Sequence, residues 1–74
     1  MYSKYKIRME TAREAAKLAN IAETFKQPIY LTDGQGMRVN AKSLMGAIYT
    51  LEFEEIWLES PEHLSFNAFK EFII

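Results

Sequence analysis

The chain has 74 residues, enough for one small core, so we expect a single domain over residues 1–74. It contains no cysteine, which excludes disulfides and thiolate–metal sites. No apolar run reaches the roughly 20 residues that a membrane helix needs, and the net charge of −1 is too little basic excess to indicate nucleic acid. We therefore expect a cytoplasmic protein that binds neither membranes nor nucleic acid.

The charge is unevenly spread along the chain. Residues 1–51 carry eight Lys and Arg against four Asp and Glu, whereas residues 52–74 carry one against six. The two parts therefore have net charges of +4 and −5. This predicts either a basic face and an acidic face that bias the choice of partner, or an ordinary solvated surface.

The first two predicted elements are a strand and a helix. Residues 4–9 alternate basic and apolar side chains, which indicates a strand with a basic outer face. From Thr11 the period becomes helical, with alanines on one face as far as Ala22. Thr11 and Glu14 have the spacing of a capping box, which marks the start of the helix. The small alanine side chains allow this helix to pack close to a sheet.

A hairpin and a short helix are predicted next. Residues 28–32 and 37–40 are typical of paired strands, joined at 33–36 by a turn that contains two glycines. Residues 43–50 predict a short helix. Gly46 costs this helix stability unless another group must approach closely there.

The last predicted elements are a strand at residues 55–59 and a helix. Ser60 and Pro61 have the pattern of a cap followed by proline, so we expect the helix to begin there and to bury Phe69 and Phe72. The order β-α-β-β-α-β-α predicts an α+β fold. We expect an open-faced β-sandwich, in which a four-stranded, mainly antiparallel sheet carries three helices on one face. The uncovered face accounts for the basic row of the first strand.

Residues 40–46, with the sequence NAKSLMG, resemble the regulatory-serine segment of HPr, the phosphocarrier family of the bacterial sugar phosphotransferase system. The chain is most similar to the Gram-positive versions and to Crh, their relative that lacks the active histidine. The similarity runs from about Lys4 to Phe72 in the same element order. It implies the HPr fold and protein partners connected with that system.

The active segment of the family runs Gly-Leu-His-Thr/Ala-Arg-Pro-Ala, and residues 9–15 of this chain, METAREA, resemble it only in part. The resemblance puts Thr11 at the phosphohistidine position and retains Arg13. A threonine hydroxyl is too weakly acidic to accept a phosphoryl group reversibly without an adjacent base. Glu14 would also place a negative charge where the phosphate must lie. We therefore expect a protein that is not an enzyme, with no catalytic residue, cofactor or metal.

Ser43 has two interpretations. The resemblance implies that it is the target of the serine kinase that modifies regulatory HPr and Crh, which then bind a transcriptional repressor. A phosphate there would meet free N–H groups at the start of the short helix. The alternative is that Ser43 serves only as the N-cap of that helix.

A partner surface is predicted around Ser43, formed by Arg13, Lys42, Leu44 and Met45. We expect Met45 to be exposed, and Leu44 and Ile48 to be at least partly buried. Arg13 also has a simpler interpretation, as a solvated cation on the first turn of its helix.

Two further features of the sequence could indicate functional sites. His63, the single histidine, has no partners at metal-ligand spacing and is interpreted as a surface residue at the start of the last helix. Tyr30, Tyr49 and Trp57 could form a stacking platform for single-stranded nucleic acid. They belong to three different predicted elements, so packing in the core and at its edge is the simpler interpretation.

The sequence thus predicts a non-catalytic, HPr-like regulatory or interaction protein, modulated by phosphorylation at Ser43 if at all. The alternative is a degenerate structural relative of HPr with a diverged partner and no phosphorylation. We find no nucleophile–base pair, metal cluster or phosphate-binding loop in the sequence that would indicate an enzyme.

Overall fold

The computed structural model describes residues 2–74, and this part of the chain has the predicted order of strands and helices. The elements are β1 (Ser3–Ile7), α1 (Ala12–Glu23), β2 (Tyr30–Thr32), β3 (Arg38–Asn40), α2 (Leu44–Tyr49), a 3-10 turn (Thr50–Glu52), β4 (Ile56–Ser60) and α3 (Phe66–Phe69). The expected α+β class is confirmed.

The four strands form one sheet in the order β1-β4-β2-β3, and every pairing is antiparallel. β4, the last strand in sequence, lies in the middle, where Leu58 is opposite Tyr5 on β1 and Leu31 on β2. The helices pack on one face of this sheet, and the buried side chains of both layers form a single core. The other face is open, as predicted for an open-faced sandwich.

The alanine-rich face of α1 forms one side of the core. Ala15, Ala19 and Ala22 are buried together with Leu18. Because an alanine side chain is only a methyl group, the helix can lie close to the sheet. The interpretation of this face from the sequence is confirmed.

The open face of the sheet carries aromatic rings covered by basic side chains. Lys4 and Lys6 place their ammonium groups 5.0 and 5.8 Å from the centre of the Trp57 ring, and the Arg38 guanidinium lies 4.6 Å from that of Tyr30. Such contacts are favourable cation–π interactions. The expectation that Tyr30 and Trp57 pack in the core is therefore wrong, because their strand positions point away from the helices.

The predicted start of the last helix at Ser60 and Pro61 is also wrong. Ser60 is the final residue of β4 and fully buried, and its hydroxyl donates to the Pro28 carbonyl at 2.8 Å. The same hydroxyl accepts the Glu62 N–H at 3.3 Å, but the residues that follow form a loop and not a helix. Instead Ser65 caps α3, which is only four residues long.

The segment after α3 returns to the sheet and covers the outer edge of β1. Ile73 forms an isolated antiparallel bridge with Ile7, the Arg8 N–H donates to the Phe72 carbonyl at 2.8 Å, and the Ile74 N–H donates to a β1 carbonyl at 3.0 Å. Phe72 is buried as expected, but outside a helix. Pairing at this edge removes backbone groups that would otherwise attract another strand.

We predict that Ser60→Ala lowers the free energy of unfolding by about 1–3 kcal/mol, because the Pro28 carbonyl and the Gln27 amide, 3.2 Å from the hydroxyl, each lose a partner. Urea denaturation followed by fluorescence of Trp57, the single tryptophan, measures the change. Ser65→Ala is the matched control, since that hydroxyl accepts one bond at 3.4 Å. Equal losses in both variants would contradict the role assigned to Ser60.

Candidate functional site

The start of α1 is closed by a reciprocal capping box, as predicted. The Thr11 hydroxyl accepts the Glu14 N–H at 3.1 Å. The Glu14 carboxylate in turn accepts the N–H groups of Thr11 at 3.1 Å and of Glu10 at 2.8 Å. The backbone donors that precede this helix are therefore already bonded to a carboxylate of the same chain.

The Glu14 carboxylate is held in its ionised form. The hydrogen bond from the Glu10 N–H is the main cause that lowers the pKa of Glu14 below its ordinary value of 4.5, and the Thr11 N–H acts in the same direction. Slight burial opposes them. At neutral pH a full negative charge therefore stands in front of the helix start, where it repels any approaching phosphate.

Arg13 lies on the first turn of α1 beside the capping box. Its side chain is exposed and forms no ion pair with any acidic group in residues 2–74. Both interpretations of Arg13, as a solvated cation and as a contact for a partner, are compatible with this position.

Ser43 is the N-cap of α2. Its hydroxyl accepts the Gly46 N–H at 3.1 Å, and its own N–H donates to the Asn40 carbonyl at 3.1 Å. The residue is partly exposed. The capping role is thus present, and it uses the serine oxygen as an acceptor only.

Gly46 has the steric reason that the sequence left open. A Cβ at this position would lie 3.0 Å from the Asn40 carbonyl oxygen and 3.4 Å from the Ser43 Cβ. A larger residue would therefore require the carbonyl that receives the Ser43 N–H to move by a few tenths of an ångström. Glycine in this helix allows the loop before Ser43 to fold back against it.

The outward side of α2 carries large apolar side chains. Met45 is 81% exposed, as predicted, and Leu44 and Ile48, expected to be at least partly buried, are 51% and 39% exposed. The helix has six residues and buries only Ala47 fully, so its larger side chains remain outside. Leu44, Met45, Ile48 and Tyr49 are called the α2 face below.

Lys42 is not a free cation. Its ammonium donates to the Phe25 carbonyl at 2.6 Å, just beyond the end of α1. Arg13 lies at the opposite end of that helix, roughly 15 Å along its axis from Glu23 at a rise of about 1.5 Å per residue. Lys42 is next to Ser43 in the chain, and its side chain is held by this hydrogen bond. Arg13 lies far from it, so the two predicted cations do not form one cluster.

His63 lies in the loop between β4 and α3, not at a helix start. Its side chain is exposed, and its carbonyl accepts the Gln27 amide at 2.7 Å. Within residues 2–74 no group of three or more His, Cys, Asp and Glu is placed to hold a metal ion. In the same residues, no helix has the length and apolar character to cross a membrane.

A groove that the sequence did not reveal lies between the β2–β3 turn and the segment from α2 to β4. It has a volume of about 310 Å³ and is called the hairpin groove below. Its lining residues are Asp33, Gln35, Met37, Tyr49, Glu52, Phe53, Glu54 and Glu55. The only signal of it in the sequence is the acidic excess after residue 51.

We predict that Glu14→Ala is less stable than the wild type at pH 7, and that the difference shrinks as the pH falls. A group with a lowered pKa in the folded state contributes stability above about 4.5 and loses it as the pH falls through the lowered value. Thermal melts between pH 3 and pH 7 measure this. Glu14→Gln keeps an acceptor oxygen without the charge, so its melts lack this contribution to the pH dependence. Wild-type pH dependence in Glu14→Gln would contradict the role of the charge.

Two solved structures share this fold, each with a TM-score of 0.66. The phosphocarrier protein HPr from Bacillus anthracis str. Ames is 23% identical, over 96% of this chain and 89% of that one. HPr-C-His from Thermoanaerobacter tengcongensis is 25% identical, over 95% of this chain and 83% of that one. At such identities the likeness establishes the fold. The comparison with curated proteins gives no match.

The sequence profile of the PTS-HPr family, described as the PTS HPr component phosphorylation site, matches residues 10–55. This range contains both the capping box at Thr11 and the α2 cap at Ser43. It covers more than half of the chain and includes α1, β2, β3 and α2. The chain therefore belongs to the HPr family of the phosphotransferase system.

Proposed function

We propose that this chain is a non-catalytic regulatory or interaction member of the HPr family, modulated by phosphorylation at Ser43 and not by phosphohistidine. The observation that carries the proposal is the position of Ser43, at the start of α2 and directly beside the exposed side chains of Leu44 and Met45. A phosphate and an apolar contact would be presented to a partner side by side.

Three observations support the absence of a phosphohistidine. The single histidine, His63, belongs to a distant loop. By the resemblance, Thr11 stands at the phosphohistidine position. The Glu14 carboxylate takes up the neighbouring N–H groups that would otherwise receive a phosphoryl oxygen, and it adds a like charge. A phosphoryl group at Thr11 would have to displace this carboxylate.

The geometry at Ser43 is compatible with modification. The serine oxygen acts as an acceptor for the Gly46 N–H, and a phosphoserine retains acceptor oxygens that can serve the same donor. Negative charge at the beginning of a helix is favourable for its dipole. Phosphorylation should therefore leave the fold intact and act through a partner that binds the phosphate.

The proposed partners are proteins, namely an HPr-type serine kinase and a transcriptional regulator, in the cytoplasm of a bacterium. Met45 and Leu44 supply the apolar contact, and Arg13 is the exposed cation. Lys42 would join this surface only by leaving the Phe25 carbonyl that its ammonium now contacts.

The alternative is a degenerate structural relative of HPr that receives no phosphate and has a diverged partner. The hydrogen bond from the Gly46 N–H to the Ser43 hydroxyl favours it, because capping alone accounts for a serine at this place. The two proposals differ in one property, whether the kinase modifies Ser43.

We predict that the general phosphotransferase of the sugar system will not phosphorylate this chain from phosphoenolpyruvate. Thr11→His alone should not restore transfer, because the Glu14 carboxylate remains at the helix start. Mass spectrometry under alkaline conditions, which preserve phosphohistidine, measures the reaction. An acid-labile phosphate on the wild type would contradict the prediction, and its loss in His63→Ala would assign it to the single histidine.

We also predict that the serine kinase and ATP add one phosphate to the wild type and none to Ser43→Ala. Ser65→Ala, which removes the cap hydroxyl of α3, is the matched control and should be modified like the wild type. Intact-mass spectrometry measures the addition. Modified and unmodified proteins are then compared in a pull-down from lysate, and Ser43→Asp is avoided because one charge imitates phosphate poorly. If the kinase leaves Ser43 unmodified, the structural alternative is the better account. If modification changes no partner, the regulatory proposal loses its basis.

A further inference from the structure

The hairpin groove meets the α2 face at Tyr49, and its lining combines three apolar or aromatic side chains with four carboxylates and one glutamine. Tyr49 belongs to both, and its ring packs edge-to-face against Phe53 with centroids 5.7 Å apart. Met37, on the other side of the groove, is 42% exposed, and Tyr49 is 49% exposed. The groove and the α2 face together therefore extend from the first turn of α2, at Met45, to the turn between β2 and β3.

The rim of this groove is acidic and has no cations of its own. Asp33, Glu52, Glu54 and Glu55 line it, and none of them lies within 4.0 Å of a Lys or Arg nitrogen in residues 2–74. Asp33 accepts backbone N–H groups of its own turn, and Glu55 accepts the indole N–H of Trp57 at 3.2 Å. The charge of the rim is thus left without an opposite charge in contact.

Two basic side chains of the open sheet face, in contrast, lie close to a carboxylate. Lys4 and Arg38 each approach the buried Glu59 carboxylate, at 3.7 and 3.6 Å. Part of their charge is therefore already compensated within the fold. The groove carboxylates have no such partner, so they remain available to a cationic partner.

We propose that the hairpin groove docks a protein segment in which an aliphatic or aromatic anchor is flanked by Arg or Lys. The anchor packs on Met37, Tyr49 and Phe53, and the flanking cations approach the rim carboxylates. This inference rests on one part of the proposed function, namely that the chain is a partner-binding domain. It does not require phosphorylation of Ser43.

The chemistry of the groove favours a cationic segment. An entering guanidinium contacts Glu52 and Glu54 without breaking an existing ion pair, so the complex does not lose one interaction to gain another. Arg can also stack on the exposed ring of Tyr49, which adds a cation–π contact. An acidic segment would meet four carboxylates and be repelled.

The test is a titration of the full-length, unphosphorylated, ¹⁵N-labelled protein with the synthetic peptide acetyl-Ala-Arg-Leu-Arg-Phe-Ala-amide. A matched peptide carries Glu in place of both Arg residues. We expect saturable amide shifts in residues 33–37 and 49–55 with the Arg peptide, and none with the Glu peptide. Adding salt should weaken the binding, because the rim is exposed to solvent.

A matched pair of variants separates the groove from overall charge. Glu52→Lys with Glu54→Lys should weaken binding of the Arg peptide at least tenfold. Glu23→Lys with Glu62→Lys makes the same change in net charge at exposed sites outside the groove, and should bind like the wild type. Equal weakening in both double variants would show that only net charge matters, and would overturn the proposal.

Other outcomes are equally decisive. Shifts outside the groove, or no saturable shift at all, overturn the proposal. Concentration-dependent shifts of the groove and of β1 in the absence of peptide would identify a second copy of the chain as the occupant, which also overturns it. Ser43→Ala should bind the peptide like the wild type. Failure of the groove therefore leaves the Ser43 proposal standing, and failure of kinase modification leaves the groove proposal standing.

Discussion

Close packing of α1 on one face of the sheet is the constraint on which the rest of the structure depends. The contact is made by Ala15, Ala19 and Ala22, whose small side chains leave room for the large apolar residues of the strands. α2 then packs against α1 and buries Ala47. Both helix starts, and the apolar side of α2, remain at the surface as a result. The opposite face of the sheet is left to basic and aromatic side chains.

The starts of α1 and α2 differ chemically. At α1, the Glu14 carboxylate satisfies the backbone donors and keeps its charge, so the site is complete without a ligand. At α2, the cap is the neutral Ser43 hydroxyl, and the neighbouring Leu44 and Met45 are exposed. Charge thus disfavours a phosphoryl group at the first start, while nothing comparable opposes one at the second. This contrast is the physical basis of the proposed regulatory role.

Features that depend on near neighbours in sequence could be predicted, and those that depend on distant contacts could not. The order of elements and the capping box at Thr11 follow from periodicity and spacing, and both are confirmed. The predicted start of the last helix is wrong because Ser60 pairs with β1 and bonds to Pro28, both remote in sequence. Leu44 and Ile48 are only partly buried because a helix of six residues can bury little of its surface. The hairpin groove was missed because two separate segments form it.

A ³¹P NMR spectrum of the wild type, recorded after exposure to each phosphoryl donor in turn, distinguishes phosphohistidine from phosphoserine. After phosphoenolpyruvate and the general phosphotransferase, we expect no protein-bound resonance. After ATP and the serine kinase, we expect one phosphoserine resonance that is missing from Ser43→Ala. A phosphohistidine resonance in the first spectrum, or no Ser43-dependent resonance in the second, would show that this chain is not modulated at Ser43 in place of a histidine.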